Sequence, residues 1–354
     1  MNNGRPLIEL AQELDRCQHA KKDMIVPSSL IHHETDTAGT TAIVVEETDG
    51  LARYGITNLA RRQLAEKLKI PFQYFERMRS EQPRLLDDNV NTWLREDSDN
   101  RMLRTLDGNV RAVLSDRYRL LDNFDLAEHV LPIFGSLDEG KIASCELTET
   151  RMYLKFILPT LKYEMEPGDL VQAGVVVSNS EVGMGTLSVQ PLLYRLVCSN
   201  GLIVPDHSLR KTHIGRVFAN AEEAIQVFKD DTLIADDKAF FLKVRDVVMS
   251  ALSEVTFKYF AARMQKTMGI PITGNPVKTV EVLGQRHDLS EDERVGVLRH
   301  LIEGGKLSGY GLVNAVTRFA RDAEDYDRGT ELEALGGKLI AMNDSEWRGL
   351  AEAA

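Results

Sequence analysis

Arginine, lysine and tyrosine recur through the middle of this chain in a pattern suited to holding a polyanion. Arg104, Arg111, Arg117, Tyr118 and Arg119 lie close together, Tyr194 and Arg195 follow, and Arg210, Lys211 and Arg216 come soon after. Single-stranded nucleic acid is held by cations along its backbone and by aromatic or guanidinium faces under its bases. Arg111, Arg117, Tyr118, Arg119, Arg195, Arg210, Lys211 and Arg216 are therefore the candidate nucleic-acid-binding residues. The competing reading of the same residues is structural: the tyrosines pack in a core, and the arginines pair with nearby Asp116 and Asp122.

Other chemistries find weaker footing. His32-His33-Glu34 with Asp36 has metal-ligand residue types, but adjacent histidines in a strand point to opposite faces, and neither H-E-x-x-H nor C-x-x-C occurs. Cys198 precedes His207 and His213, so a Cys/His pair is conceivable, yet a small buried cysteine in a strand is much commoner. Gly183-Met184-Gly185 lacks the third glycine and the following helix of a phosphate-binding loop and reads as a hairpin turn. No nucleophile elbow is present. No catalytic residue, metal or cofactor is expected.

The stretch Arg61 to Arg77 has the look of a helix-turn-helix. Lys69, however, stands where glycine usually makes the turn, and Phe72, Tyr74 and Phe75 suit packing better than reading base edges. Thr57 or Asn58 would cap the first helix, which carries Leu59, Leu64, Ala65 and Leu68 on one face.

The elements that must position these residues divide the chain into three. Residues 1–95 read as a small α/β region, with a short amphipathic helix on Leu7, Leu10, Ala11 and Leu14, a strand from Thr41 to Glu47, and the helical pair. Residues 96–219 read as a strand-rich core. It opens with two apolar runs joined by Asp107-Gly108-Asn109, a hairpin signal, followed by a helix from Phe124 to Phe134. Strands over 143–147, 152–158, 170–179 and 186–197 come next, and Pro191 marks the last as an edge strand or a bulge. One antiparallel sheet over 101–205 with the 124–134 helix packed on it is the expectation. Residues 220–354 read as helical, with Ser290-Glu291-Asp292-Glu293 as a capping box. The fold class is α+β.

Composition bounds the rest. The chain has 354 residues, formal charge −11 and three cysteines far apart in sequence, which fits a reducing compartment without a disulfide framework. The acidic sum does not exclude nucleic acid, because distribution matters more. Between Arg53 and Arg84 there are eight Lys/Arg against three Glu, and between Arg101 and Arg119 five Arg against two Asp. The run 207–216 has three cations and no acid. Met1 to Leu14 shows no secretory pattern, and no stretch approaches the roughly 20 apolar residues of a membrane span, so a cytoplasmic location and no membrane partner are expected.

The run Val113-Leu114-Ser115-Asp116-Arg117-Tyr118-Arg119-Leu120-Leu121-Asp122-Asn123 resembles the phage and plasmid family called domain of unknown function 932. Arg195-Leu196-Val197-Cys198-Ser199-Asn200-Gly201-Leu202, after a glycine-containing hairpin, resembles it too, and the helical stretch 57–79 matches the family's N-terminal part in texture. The resemblance spans about residues 40 to 320. It implies a protein of a mobile element in a bacterial host. Such elements often encode single-strand annealing proteins, which pack a helix on a small antiparallel sheet and act as rings or filaments; this is an analogy of fold. The expected function is single-stranded DNA binding or annealing in recombination, by a homo-oligomer without a cofactor. The alternative is a protein-interaction or regulatory factor of the element, such as a host-defence antagonist with a host protein partner.

Overall fold

The computed structural model describes residues 4–47, 50–118, 120–205 and 230–353. Arg119, Arg210, Lys211 and Arg216 lie outside the described residues. The fold is α+β, and the chain divides into two units that are discontinuous in sequence, one of residues 11–124 with 180–185 and one of 1–10, 125–179 and 186–354. The sequence-ordered division at 95 and 219 does not follow this interleaving.

The first unit begins within α1 (Leu7–Ala20) and builds a six-stranded sheet. Its strands are β1 (Lys21–Pro27), β2 (Ile31–Thr35), β3 (Thr41–Glu47), β4 (Gly50–Ile56), β5 (Asn100–Leu106) and β6 (Asn109–Ser115), in the spatial order β1-β5-β6-β4-β3-β2. All neighbours are antiparallel except β4 and β6, which meet in parallel over Gly55–Ile56 and Asn109–Val110. The β5–β6 turn works as its sequence suggests: Asp107 and Gly108 both take positive φ, 51° and 73°, the pairing of dihedrals that matches strand twist in a two-residue hairpin.

Between β4 and β5 come α2 (Asn58–Lys67), α3 (Phe72–Glu81) and α4 (Pro83–Glu96). The Thr57 hydroxyl accepts the Ala60 N–H and starts α2. Lys69 takes the left-handed conformation in the turn at φ 56°, so a lysine does there what glycine usually does. The three helices cover one face of the sheet: Ala60, Leu64, Phe75, Leu86, Val90 and Leu94 bury against Ile31, Ile43, Val45, Leu103 and Val113.

The second unit holds α5 (Asn123–Gly135) and a five-stranded antiparallel sheet. Its strands are β7 (Lys141–Leu147), β8 (Met152–Glu166), β9 (Asp169–Asn179), β10 (Ser188–Arg195) and β11 (Asn200–Ile203), ordered β11-β10-β9-β8-β7. Phe134 of α5 stacks on Phe156 of β8 with centroids 4.4 Å apart. The remaining elements are α6 (Asp230–Ala251), α7 (Glu254–Lys266), α8 (Pro276–His287), α9 (Glu291–Glu303), α10 (Gly309–Phe319), α11 (Tyr326–Ala341) and α12 (Asp344–Ala351). Their apolar stripes complete the core, with Leu312, Val316, Leu335 and Leu339 against Val171, Leu193 and Leu202. Gly337 lets α11 lie on β11, because a Cβ there would stand 2.0 Å from the Ile203 carbonyl oxygen. The capping box at Ser290 and Glu293 forms as expected.

Two expectations need correction. Residues 101–205 do not make one sheet: β5 and β6 belong to the six-stranded sheet, and only 141–203 supplies the five-stranded one. The hairpin finds its neighbours in β1, about eighty residues upstream (Lys21 faces Leu106), and in β4, and alternation within a strand carries no information about such distant pairing. Nor is β10 an edge strand, since it lies between β9 and β11. Pro191 sits where β11 runs out: its carbonyl accepts the Val204 N–H at 2.9 Å, so the N–H that proline lacks faces the same side, at the last rung of that ladder, and the pairing with β9 loses nothing.

Candidate functional site

On the sheet face opposite α2–α4, the first unit buries a set of charges. Strand alternation turns Met102, Arg104, Ala112 and Leu114 to this side. Arg104 is fully buried, and its guanidinium donates to Asp23 Oδ2 at 2.7 Å, to Asp122 Oδ1 at 2.5 Å and to the Glu181 carbonyl at 3.0 Å. Lys21 also pairs with Asp122. Burial alone would raise the Asp122 carboxyl, but the Arg104 charge and the hydrogen bonds from Lys21 and Arg104 outweigh it, holding the group below the usual carboxylate range. A buried charge costs several kcal/mol unless it is paired and hydrogen-bonded, roughly as it is here.

The candidate binding residues of this region are drawn into the same structure. Arg111 Nη2 lies 2.6 Å from Glu181 Oε2, and the Asn123 N–H donates to Glu181 Oε1 at 2.6 Å. The Tyr118 hydroxyl donates to the Ser180 carbonyl at 2.8 Å, and its ring packs with Met102, Ala112, Leu114 and Val182. Gln63 holds the Val182 carbonyl at 2.7 Å. The segment 180–185, which carries the two glycines of the hairpin turn, is thus clasped by five side chains or backbone groups of its unit. Arg117 differs: it is exposed and has no carboxylate partner among the described residues.

Arg195 belongs to the other unit. Its Nε and Nη2 grip the two Asp169 oxygens at 2.6 and 2.7 Å, and the buried Tyr310 hydroxyl donates to the same carboxylate at 2.5 Å. Against burial, these hydrogen bonds hold Asp169 below the usual carboxylate range. Nearby, Asn200 Nδ2 donates to Thr317 Oγ1 at 2.5 Å. In the same unit Lys155 and Glu333, each 1 % exposed, pair at 2.7 Å, with the ammonium over the Tyr326 ring.

Among the described residues, cations without a carboxylate partner gather instead along α2–α4 and the turn after α2. From Asn58 to Arg84 there are seven Lys/Arg against three Glu. Glu76 is shared by Arg61 and Arg79, and Glu81 pairs with Arg77. Arg62, Lys67, Lys69 and Arg84 have no carboxylate partner among the described residues, and all but Lys67 are exposed. Arg62 lies over the Phe72 ring at 4.5 Å. Phe75 is buried, as its suitability for packing implies, but Tyr74 and, on α4, Trp93 are 45 % and 49 % exposed. The packing role expected of Tyr74 is not met, and Trp93 was not singled out as a binding residue; the outward position of both follows from which helical face the sheet takes. Glu181 was also missed: it lies 70 residues from its partner Arg111, with no local signal linking them.

For the metal-like triplet, His32 faces solvent and the buried His33 bonds Asp87 at 2.8 Å through Nδ1. Among the described residues no cluster of three or more His, Cys, Asp or Glu is arranged to hold a metal ion, and no helix is long and apolar enough to cross a membrane.

The model of the family described as Domain of unknown function (DUF932) matches residues 110–321, more than half of the chain, and the chain belongs to that family. The match takes in both motif runs, 113–123 and 195–202, and begins beyond the helical stretch 57–79. Neither the curated proteins nor the solved structures gave a match.

Proposed function

We propose that this chain is a nucleic-acid-binding protein of a phage or plasmid that acts on single-stranded DNA, in annealing or recombination, as a homo-oligomer and without a cofactor. The observation that carries this reading is the surface of α2, α3 and α4, where Arg62, Lys69 and Arg84 stand exposed without carboxylate partners among the described residues and Tyr74 and Trp93 stand exposed in the same segment, on a chain of charge −11. Cations for the backbone and open aromatic faces for the bases are the two parts that single-strand binding requires. An acidic remainder concentrates the attraction on that surface.

In this reading the motif residues divide by role. Arg111, Arg195 and Tyr118 hold the fold, because their polar groups already meet Glu181, Asp169 and Ser180. Arg117 is available to a phosphate. Replacing Arg62, Lys69 and Arg84 together with alanine should weaken single-stranded DNA binding about tenfold or more, by loss of phosphate contacts, with the circular dichroism spectrum unchanged. Binding that survives this substitution intact would move the interface elsewhere. Absence of binding by the parent protein would favour the alternative, a partner-protein factor of the mobile element.

A further inference from the structure

Outside that surface, a cavity of about 350 Å³ opens in the second unit where the C-terminal end of α8 meets α11, lined by Arg286, His287, Asp288, Arg328, Glu331 and Lys338 over a floor of leucines. Its charges are unevenly spoken for. Arg328 takes up Glu331 at 2.7 Å and also Glu293 of α9 at 2.6 Å. That leaves Arg286 and Lys338, both exposed and without carboxylate partners among the described residues, against Asp288 alone. We propose that this pocket binds a phosphate group between Arg286 and Lys338 with His287 as third ligand.

The charge count favours an anion. With His287 neutral the lining side chains carry one excess positive charge, which Glu293 offsets through Arg328, and a proton on His287 restores a net positive charge. His287 is poised for that change. Its ring is half-buried, and burial together with the charges of Lys338 and Arg286 outweighs Asp288 and lowers its pKa from the ordinary value. An anion between those cations reverses the sign of the local field and favours the imidazolium, which then donates to it. The groups facing the ring are Arg286 and Asp288 from its own segment, Lys338, Arg328 and Glu331 from α11, and Glu293 through Arg328. The last carbonyls of α8 oppose an anion through the helix dipole. Each charge-assisted bond to Arg286 or Lys338 outweighs that opposition. Two sources of such a group fit, the 5′-terminal phosphate of a nucleic-acid strand and a free phosphorylated small molecule.

The test is an NMR titration of the histidine ring signals of the full chain, with His287 assigned by H287Q, in chloride and then in inorganic phosphate. The His287 midpoint should move upward in phosphate. It should stay put in the R286A/K338A variant, and each single variant should weaken phosphate about tenfold. Competition then separates the sources: a 5′-phosphorylated oligonucleotide that displaces inorganic phosphate where its 5′-hydroxyl counterpart does not points to a strand end, and displacement only by a nucleoside monophosphate points to a small molecule. An unchanged His287 midpoint in phosphate, or an equal shift in R286A/K338A, overturns the proposal. Neither result bears on the α2–α4 surface, which the triple alanine variant tests separately.

Discussion

Arg195 and Asp169 form a two-pronged ion pair within the five-stranded sheet, Nε to Oδ1 at 2.6 Å and Nη2 to Oδ2 at 2.7 Å, and Tyr310 closes on the same carboxylate. A planar guanidinium is suited to that geometry, and lysine is not an equivalent. Arg195→Ala should therefore cost about 3–5 kcal/mol of stability, because it strands a buried carboxylate. Arg195→Lys should recover only part of that loss. Urea unfolding of the three proteins checks both. An Arg195→Ala protein of parental stability but poorer DNA binding would return this arginine to the interface.

Lys155 and Glu333 make a sharper case, since both are almost completely buried. Glu333→Leu alone leaves an uncompensated ammonium among Tyr326 and Thr330 and should destabilise by about 3–5 kcal/mol. Lys155→Met combined with Glu333→Leu should be much milder than the sum of the single changes, because the double variant buries no charge. A double variant whose loss equals the sum would show that the two side chains do not act as a pair.

Acid should unfold the protein through its paired carboxylates. Asp122, Asp169 and Asp87 all have pKa values below the ordinary carboxylate value. A carboxyl whose folded pKa is depressed contributes stability that is present above its unfolded pKa and is lost as pH falls through the folded value. Stability measured from neutral pH downward should hold until it reaches the ordinary carboxylate range and then decline. Asp122→Asn should lower the plateau and flatten that decline; an unaltered pH profile would mean that Asp122 is not ionised against Arg104.

Tryptophan fluorescence offers a local view of the proposed surface. Of the two tryptophans, Trp347 is 3 % exposed and Trp93 is 49 % exposed. Stacking of a base on Trp93 should quench the emission on adding oligonucleotide, and Trp93→Phe should abolish most of that quench while retaining binding, since any aromatic face accepts a base. Quenching of equal size in Trp93→Phe would locate the DNA away from α4.

Local structure was legible in the residues, and long-range pairing was not. Thr57, Asp107-Gly108 and Ser290 acted as cap, turn and capping box because each depends on neighbours a few positions away. The placement of β5–β6 beside β1 and β4 rests on contacts across many residues, and no period in a single strand encodes it. The same limit applies to the site. The bland alternative, arginines pairing with nearby acids, holds for Arg104 and Asp122, eighteen residues apart. Arg111 and Arg195 meet Glu181 and Asp169, which lie 70 and 26 residues away. A sequence rich in arginine advertises cations, but only the fold decides which of them keep a charge to offer.

Salt dependence of single-stranded DNA binding, measured by fluorescence anisotropy of a labelled oligonucleotide with the parent protein and with the Arg62, Lys69 and Arg84 triple alanine variant, reports on the proposed interface itself. Cations that displace condensed counterions give an affinity that falls linearly on a log–log plot against salt, with a slope of roughly −0.7 for each phosphate contact on single strands. A single-strand interface on α2–α4 gives binding at low salt, a steep slope for the parent protein and a slope shallower by up to about two for the variant. No binding by the parent protein at low salt and micromolar concentration, or identical slopes for the two proteins, would contradict it.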